Sequence, residues 1–214
     1  LISYTSGSTG FSKGVMLPYR SLWSNVQFCM DYLPTNPGDG VVCMLPLAHM
    51  YGLTIDMLRP FISGNHIYIL TKTPSPRIIM DAFAKVHPRY IVTVPLIIEK
   101  IIRTRVFPML EKPLMKLMLM VPYVDERLMG KIKDRLIETF GGKVEEIIIG
   151  GAGLNRDVEK FLRRIGFPYT VGYGMTECGP LISYSSAKEN RMASCGRIVN
   201  RIEAMIDSPD PISK

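Results

Sequence analysis

Apolar residues in this chain gather in short runs, separated by stretches where they recur every third or fourth position. The runs Val41–Leu47, His66–Leu70, Tyr90–Val94, Glu146–Ile149 and Tyr169–Val171 read as strands. Helical spacing links Ile79, Phe83 and Val86, then Ile97, Ile98, Ile101 and Ile102. It returns at Leu128, Ile132, Leu136 and Phe140, where Gly141-Gly142 predicts a helix end. A fourth helix is predicted from a cap at Asn155 through Val158, Phe161 and Leu162 to Gly166. Strands alternating with helices predict an α/β domain: a layered, largely parallel sheet flanked by helices.

Residues 103–125, RTRVFPMLEKPLMKLMLMVPYVD, break this pattern by mixing Met, Pro and Lys with weak periodicity. Two readings fit. Methionine adapts to varied partners, so the segment could be a flexible apolar surface that touches lipid or an acyl chain. A large apolar patch is uncommon on a soluble domain, so we favour a helical insertion packed against the core.

Composition changes this picture little. The 214 residues, 47% hydrophobic and 21% charged, suit one large domain or two small lobes. No apolar run approaches the ~18 to 20 residues of a membrane span. No secretory leader is visible, and the first residue is not Met, so the chain is expected to be part of a longer cytoplasmic protein. Cys29, Cys43, Cys178 and Cys195 form no CxxC pair and read as reduced thiols. A net charge of +7 permits a polyanionic partner, a nucleotide or an acidic lipid surface included. No basic block is interleaved with stacking aromatics, which argues against nucleic acid.

The candidate chemistry starts at residues 4–14, YTSGSTGFSKG. Glycine lets backbone amides approach a ligand, hydroxyls donate to anionic oxygens, and Lys13 adds a mobile charge. This is the composition of a phosphate cradle. It is not a Walker loop: Ser12 stands where that pattern needs its second glycine, and Gly14 follows Lys13. The glycine spacing of a dinucleotide fingerprint is absent as well.

Further segments give the loop a context. PLAHMYG (46–52), GGAGL (150–154), GYGMTECGP (172–180) and CGRIV (195–199) follow it in order. Together these resemble the signature motifs of the adenylate-forming superfamily. GGAGL departs from that family's usual GGAPL by Gly153. Within the superfamily the chain looks most like a long-chain fatty acyl-CoA synthetase, an impression carried by the basic, apolar stretch between Pro95 and Gly150. Some fatty-acid enzymes carry a gating Trp just after the histidine of the second motif; here Met50-Tyr51-Gly52-Leu53 stands there. Tunnel gating is therefore not carried over.

The resemblance implies activation of a fatty carboxylate by ATP with Mg2+, through an acyl-adenylate, followed by transfer to coenzyme A. It assigns the β- and γ-phosphates to Thr5, Ser6, Gly7, Ser8, Thr9 and Gly10, with Lys13 neutralising charge. Thr176 would reach the α-phosphate and Glu177 would hold Mg2+. Tyr173, Gly151, Ala152 and Gly174 would meet adenine. His49, Met50, Gly52 and Leu53 would line the acyl side, His49 without acting as a base. Each has a plainer alternative: a solvated Lys13, an exposed strand-end Glu177, a core Tyr173, a structural His49. His66 and His87 match no motif and read as structural.

The expected organisation is a partial AMP-binding domain. Residues 1–40 carry the phosphate loop and a following helix, 41–142 the acyl side with the insertion, and 143–214 the adenine and magnesium side. The ribose-binding aspartate, the hinge and the small domain with a catalytic lysine would follow Lys214. Residues 1–214 alone are therefore expected not to complete the reaction. Other classes stay open: an adenylating enzyme for an aryl or amino acid, or a non-catalytic nucleotide or lipid-surface module; the basic, Met-rich insertion suggests peripheral membrane contact.

Overall fold

The computed structural model describes residues 1–6 and 10–205. Gly7, Ser8 and Thr9, assigned above to phosphate binding, lie outside the described residues.

The expected parallel strands form two sheets. In one, β3 (Gly40–Cys43) pairs with β4 (His66–Ile69); in the other, β5 (Tyr90–Thr93), β6 (Glu146–Ile149) and β7 (Tyr169–Val171) lie in that order. β3 runs beside β5. The connections are helical, as parallel pairs require: α3 (Pro76–Val86) precedes β5, α4 (Pro95–Ile101) to α7 (Pro122–Thr139) lead to β6, and α8 (Arg156–Arg164) leads to β7. Each strand of the three-stranded sheet is fully buried, which explains the mainly apolar runs; Thr93, Glu146 and Thr170 are buried with them. Ile147 and Ile149 face a core that contains Ile79, Phe83, Ile132, Leu136 and Leu162 of the helices. Ile148 faces the other way, toward Phe28 and Cys29 of α1 (Tyr19–Tyr32), Leu181 and Tyr184.

Other pairings are antiparallel. β1 (Ile2–Thr5) turns back into β2 (Lys13–Met16), and β8 (Tyr173–Gly174), β9 (Leu181–Tyr184) and β10 (Arg197–Ile198) form a small sheet. Their connections are too short for a crossover helix, so the chain can only double back. Lys13 is thereby placed on a strand opposite Thr5, not within the loop.

Local signals explain most ends. The Asn155 side chain accepts from the Asp157 and Val158 amides at the start of α8. Gly141 and Gly142 take positive φ after α7, at 100° and 80°. β3 stops well before Leu47. The Met44 and Leu45 amides leave the ladder and donate instead to the buried Asp56 carboxylate, at 2.9 and 3.0 Å.

The insertion is helical, as favoured. After a π-helical turn (Ile102–Val106) come α5 (Phe107–Leu110) and α6 (Pro113–Leu119), which leads into α7. Its packing is only half as expected. Phe107, Met109, Leu110 and Leu119 lie against the core, whereas Leu114, Leu117, Met120 and Tyr123 are exposed. No helix among the described residues is long and apolar enough to cross a membrane.

Candidate functional site

The segments singled out by motif converge on the carboxyl ends of β5, β6 and β7, where open parallel sheets bind ligands. Val94 leaves β5, Gly150 and Gly151 leave β6, and Gly172 leaves β7; all of them line one cavity of about 350 Å³. Its remaining wall comes from α1, from Leu45 to Gly52, and from Tyr173 to Leu181. Phe28, Leu33, Leu45, Ile55 and Leu181 make the interior apolar, and no lysine or arginine is in the lining.

Tyr51 ties these parts together. Its hydroxyl lies 3.2 Å from the Thr93 carbonyl and 3.1 Å from the Ile148 carbonyl, bridging the ends of β5 and β6. A Cβ on Gly150 would sit 2.9 Å from the Tyr51 ring, so glycine is what admits the tyrosine. Gly52 has a similar role: a Cβ there would meet the Pro46 carbonyl at 2.5 Å. Burial holds the Tyr51 hydroxyl well above the ordinary tyrosine range and pushes the Cys29 thiol up to about 12. Neither wall group is a nucleophile at neutral pH.

Behind this wall, Asp56 and Arg59 are wholly buried on a π-helical turn (Gly52–Leu58) and the helix after it, α2 (Arg59–Ile62). Burial pushes the Asp56 carboxyl up to about 6, against the pull of the Leu45 and Met44 amides and of Arg59. Asp56 therefore fixes the start of PLAHMYG without touching the cavity.

The GYGMTECGP segment forms β8, a 3-10 turn (Thr176–Cys178) and the lead into β9. α1 holds it. Ser21 Oγ and Asn25 Nδ2 donate to the Cys178 carbonyl at 3.3 and 3.1 Å, and Asn25 Oδ1 accepts from the Leu181 amide at 2.8 Å. Thr54 Oγ1 donates to the Gly179 carbonyl at 3.4 Å. β2, with Lys13 at its start, packs beside the Thr176–Cys178 turn. The phosphate hairpin and Glu177 are thus on the same side of the molecule.

The other predicted positions divide by their surroundings. His49, Met50, Gly52, Gly151, Tyr173, Gly174 and Thr176 line the cavity. Thr5 is half-buried, while Ser6, Gly10, Lys13, Ala152 and Glu177 are exposed around it without lining it. Leu53 packs beside Leu17, Leu22 and Met50 and is not part of the cavity lining. Among the described residues no three His, Cys, Asp or Glu side chains converge as a metal cluster. Ser21, Asn25, Tyr51 and Asp56 carried no motif role in the sequence. Ser21, Asn25 and Tyr51 have partners 42 to 157 residues away, and Asp56 meets amides 11 and 12 residues back, so no local spacing marks them.

The profile of the AMP-binding enzyme family matches residues 1–211. The chain belongs to that family. Among relatives, a 4-coumarate–CoA ligase 2 from Oryza sativa subsp. japonica is 29% identical, over 98% of this chain and 33% of its own length. A chloroplastic long-chain-fatty-acid–[acyl-carrier-protein] ligase from Arabidopsis thaliana is 26% identical, over 98% of this chain and 34% of its own. The chain thus spans about a third of these relatives. Of solved structures, O-succinylbenzoate coenzyme A synthetase from Bacillus subtilis, in complex with ATP and magnesium, superposes with a TM-score of 0.73 at 19% identity. That match covers all of this chain and 38% of the other. Apo MatB from Rhodopseudomonas palustris gives 0.68 at 22% identity, over 93% and 33%. The fold is that of these adenylate-forming enzymes. The AMP-binding domain expected from the motifs stands.

Proposed function

We propose that the polypeptide carrying this chain is an acid–thiol ligase for a carboxylic acid with an apolar tail, a fatty acid in the first reading. A carboxylate oxygen attacks the α-phosphorus of ATP and pyrophosphate leaves; the thiol of coenzyme A then attacks the acyl carbonyl and AMP leaves. The first step needs no base, since a carboxyl group of pKa ~4 to 5 is already ionised at neutral pH. Its barrier is the approach of one anion to another, so preorganised donors and cations should dominate catalysis.

The roles follow from position. Thr5, Ser6, Gly10 and Lys13, with Gly7, Ser8 and Thr9 between them, hold the β- and γ-phosphates. Thr176, at the cavity wall, donates to the α-phosphate. Glu177 is an exposed carboxylate beside that hairpin, the donor set of a Mg2+ ion whose other ligands are phosphate oxygens and water. When bound, the ion neutralises phosphate charge. Tyr173, half-exposed at the rim, stacks on adenine, and Gly151, Ala152 and Gly174 leave room for it. His49 borders the meeting point of acid and phosphate, and Met50 and Gly52 border the acyl tail.

The observation that carries this reading is the apolar cavity ending at Thr176 and His49, with β2 packed beside the Thr176–Cys178 turn. Among the described residues the wall holds no lysine or arginine to pair with a second carboxylate, which favours monocarboxylic acids. A second reading, an aryl acid, draws on Phe28 at the wall, stacked on Tyr32 at 4.3 Å and edge-on to Tyr184. Pyrophosphate release by the full-length polypeptide, given fatty, aryl and dicarboxylic acids in turn, tests both. Turnover confined to amino acids or dicarboxylates would overturn them, and absence of pyrophosphate release with every acid would leave a nucleotide-binding module.

A further inference from the structure

The insertion presents a surface that the adenylation chemistry does not use. On α6, Leu114, Leu117 and Met118 share one side of the helix, since positions three and four apart are neighbours. Met115 and Leu119 point the opposite way, where they are half-buried, and Leu119 meets the core. Yet Leu114 is 71% exposed and Leu117 63%, and the face continues into Met120 and Tyr123, each 77% exposed. A seven-residue helix that is apolar on both sides, with one side in water, lacks a partner among the described residues.

The charges around it point to what that partner is. Residues 100–123 carry Lys100, Arg103, Arg105, Lys112 and Lys116 against the one acid Glu111. All five cations are exposed, and none takes part in the ion pairs of the described residues. Exposed leucine and methionine on one side of α6, exposed lysines at its cap and in its middle turn, and an exposed tyrosine after it match an anionic lipid surface. The apolar face enters the acyl boundary, the lysine stems extend to the headgroups, and the tyrosine ring lies at that level.

We propose that α6 and the basic turn before it dock the protein on an anionic membrane. The helix lies in the interface plane without spanning it. This does not depend on which acid the cavity takes. Anchorage by so short a face needs both its components, apolar burial and charge attraction, because neither alone holds a protein at a bilayer.

The test is sedimentation of the full-length polypeptide with vesicles of phosphatidylcholine alone or with about one-third phosphatidylserine, at low and high salt. Binding is expected only with the anionic lipid and is expected to fall in high salt. Lys112→Glu with Lys116→Glu should weaken it about tenfold or more, and so should Leu114→Ser with Leu117→Ser. Pyrophosphate release in solution should be unchanged in both. The charge variant alters exposed residues only, so it keeps the test valid if the serine variant fails to fold. Equal binding to neutral vesicles, or a charge variant that binds like the parent, would overturn the proposal. So would a serine variant that unfolds while the charge variant binds normally, which would assign the face to packing within the longer polypeptide. A self-association lost with Leu114→Ser and Leu117→Ser, without vesicle binding, would assign it to a second copy of the chain.

Discussion

Asn25 grips both ends of the link between the Glu177 turn and β9: its amide nitrogen is 3.1 Å from the Cys178 carbonyl oxygen and its amide oxygen 2.8 Å from the Leu181 nitrogen. One buried side chain on α1, the helix that follows the phosphate hairpin, therefore sets where the proposed metal ligand stands. Asn25→Ala leaves the buried Leu181 amide without its acceptor, at a cost of about 1–3 kcal/mol. Thermal unfolding should show that loss, and adenylation should fall with it. Asn25→Asp keeps the acceptor for Leu181 but loses the donor to Cys178, so it should recover part of the stability.

Glu177 is exposed, and its side chain is engaged in none of the ion pairs of the described residues. Glu177→Gln should leave the melting temperature unchanged while lowering pyrophosphate release by about a hundredfold or more. An unchanged rate in the full-length polypeptide would remove Glu177 from the metal site.

Asp56 gives the fold a pH dependence of definite sign. Burial raises its folded pKa to about 6, above the ~3.9 of an unfolded aspartate. Between these values the folded state binds the additional proton, so this group's contribution is complete below pH ~4 and is lost as pH rises through 6. Arg59 and Cys43, the groups that bear on Asp56, favour its charged form and limit the size of the effect. Asp56→Asn keeps an acceptor for the Met44 and Leu45 amides and should flatten this part of a stability-against-pH curve. A variant curve parallel to the parent's would contradict the assignment.

The Tyr51 bridge predicts an effect on substrate range. In Gly150→Ala the new methyl would lie 2.9 Å from the ring, tight enough that the ring must move. Overpacking of this kind costs about 1–3 kcal/mol. If the ring yields toward the cavity, KM should rise most for the bulkiest acids. Tyr51→Phe frees the Thr93 and Ile148 carbonyls without adding bulk, and should lower stability while changing acid preference little.

Much of this architecture was readable from the chain, for physical reasons that also mark where reading fails. β5 to β7 are buried on both faces, so Tyr90–Val94 and Ile147–Ile149 appear as runs that are apolar but for Thr93. Asn155 and Gly141-Gly142 act on backbone groups within a few residues of themselves. The π-helical turns at 52–58 and 102–106 left no mark, because composition does not register a shift in hydrogen-bond partner by one residue. Asn25 meets Cys178 across 153 residues and Tyr51 meets Ile148 across 97, contacts that no local period encodes. Motif reading names residues that line the cavity, Thr176 and His49 among them; it does not name the groups that hold them in place.

Anomalous scattering from Mn2+, in crystals of the full-length polypeptide with a non-hydrolysable ATP analogue, would locate the cation that the account places between hairpin and turn. The account predicts manganese coordinated by Glu177 and by phosphate oxygens cradled in residues 5–13. Manganese and triphosphate bound elsewhere, with Glu177 free in solvent, would contradict it.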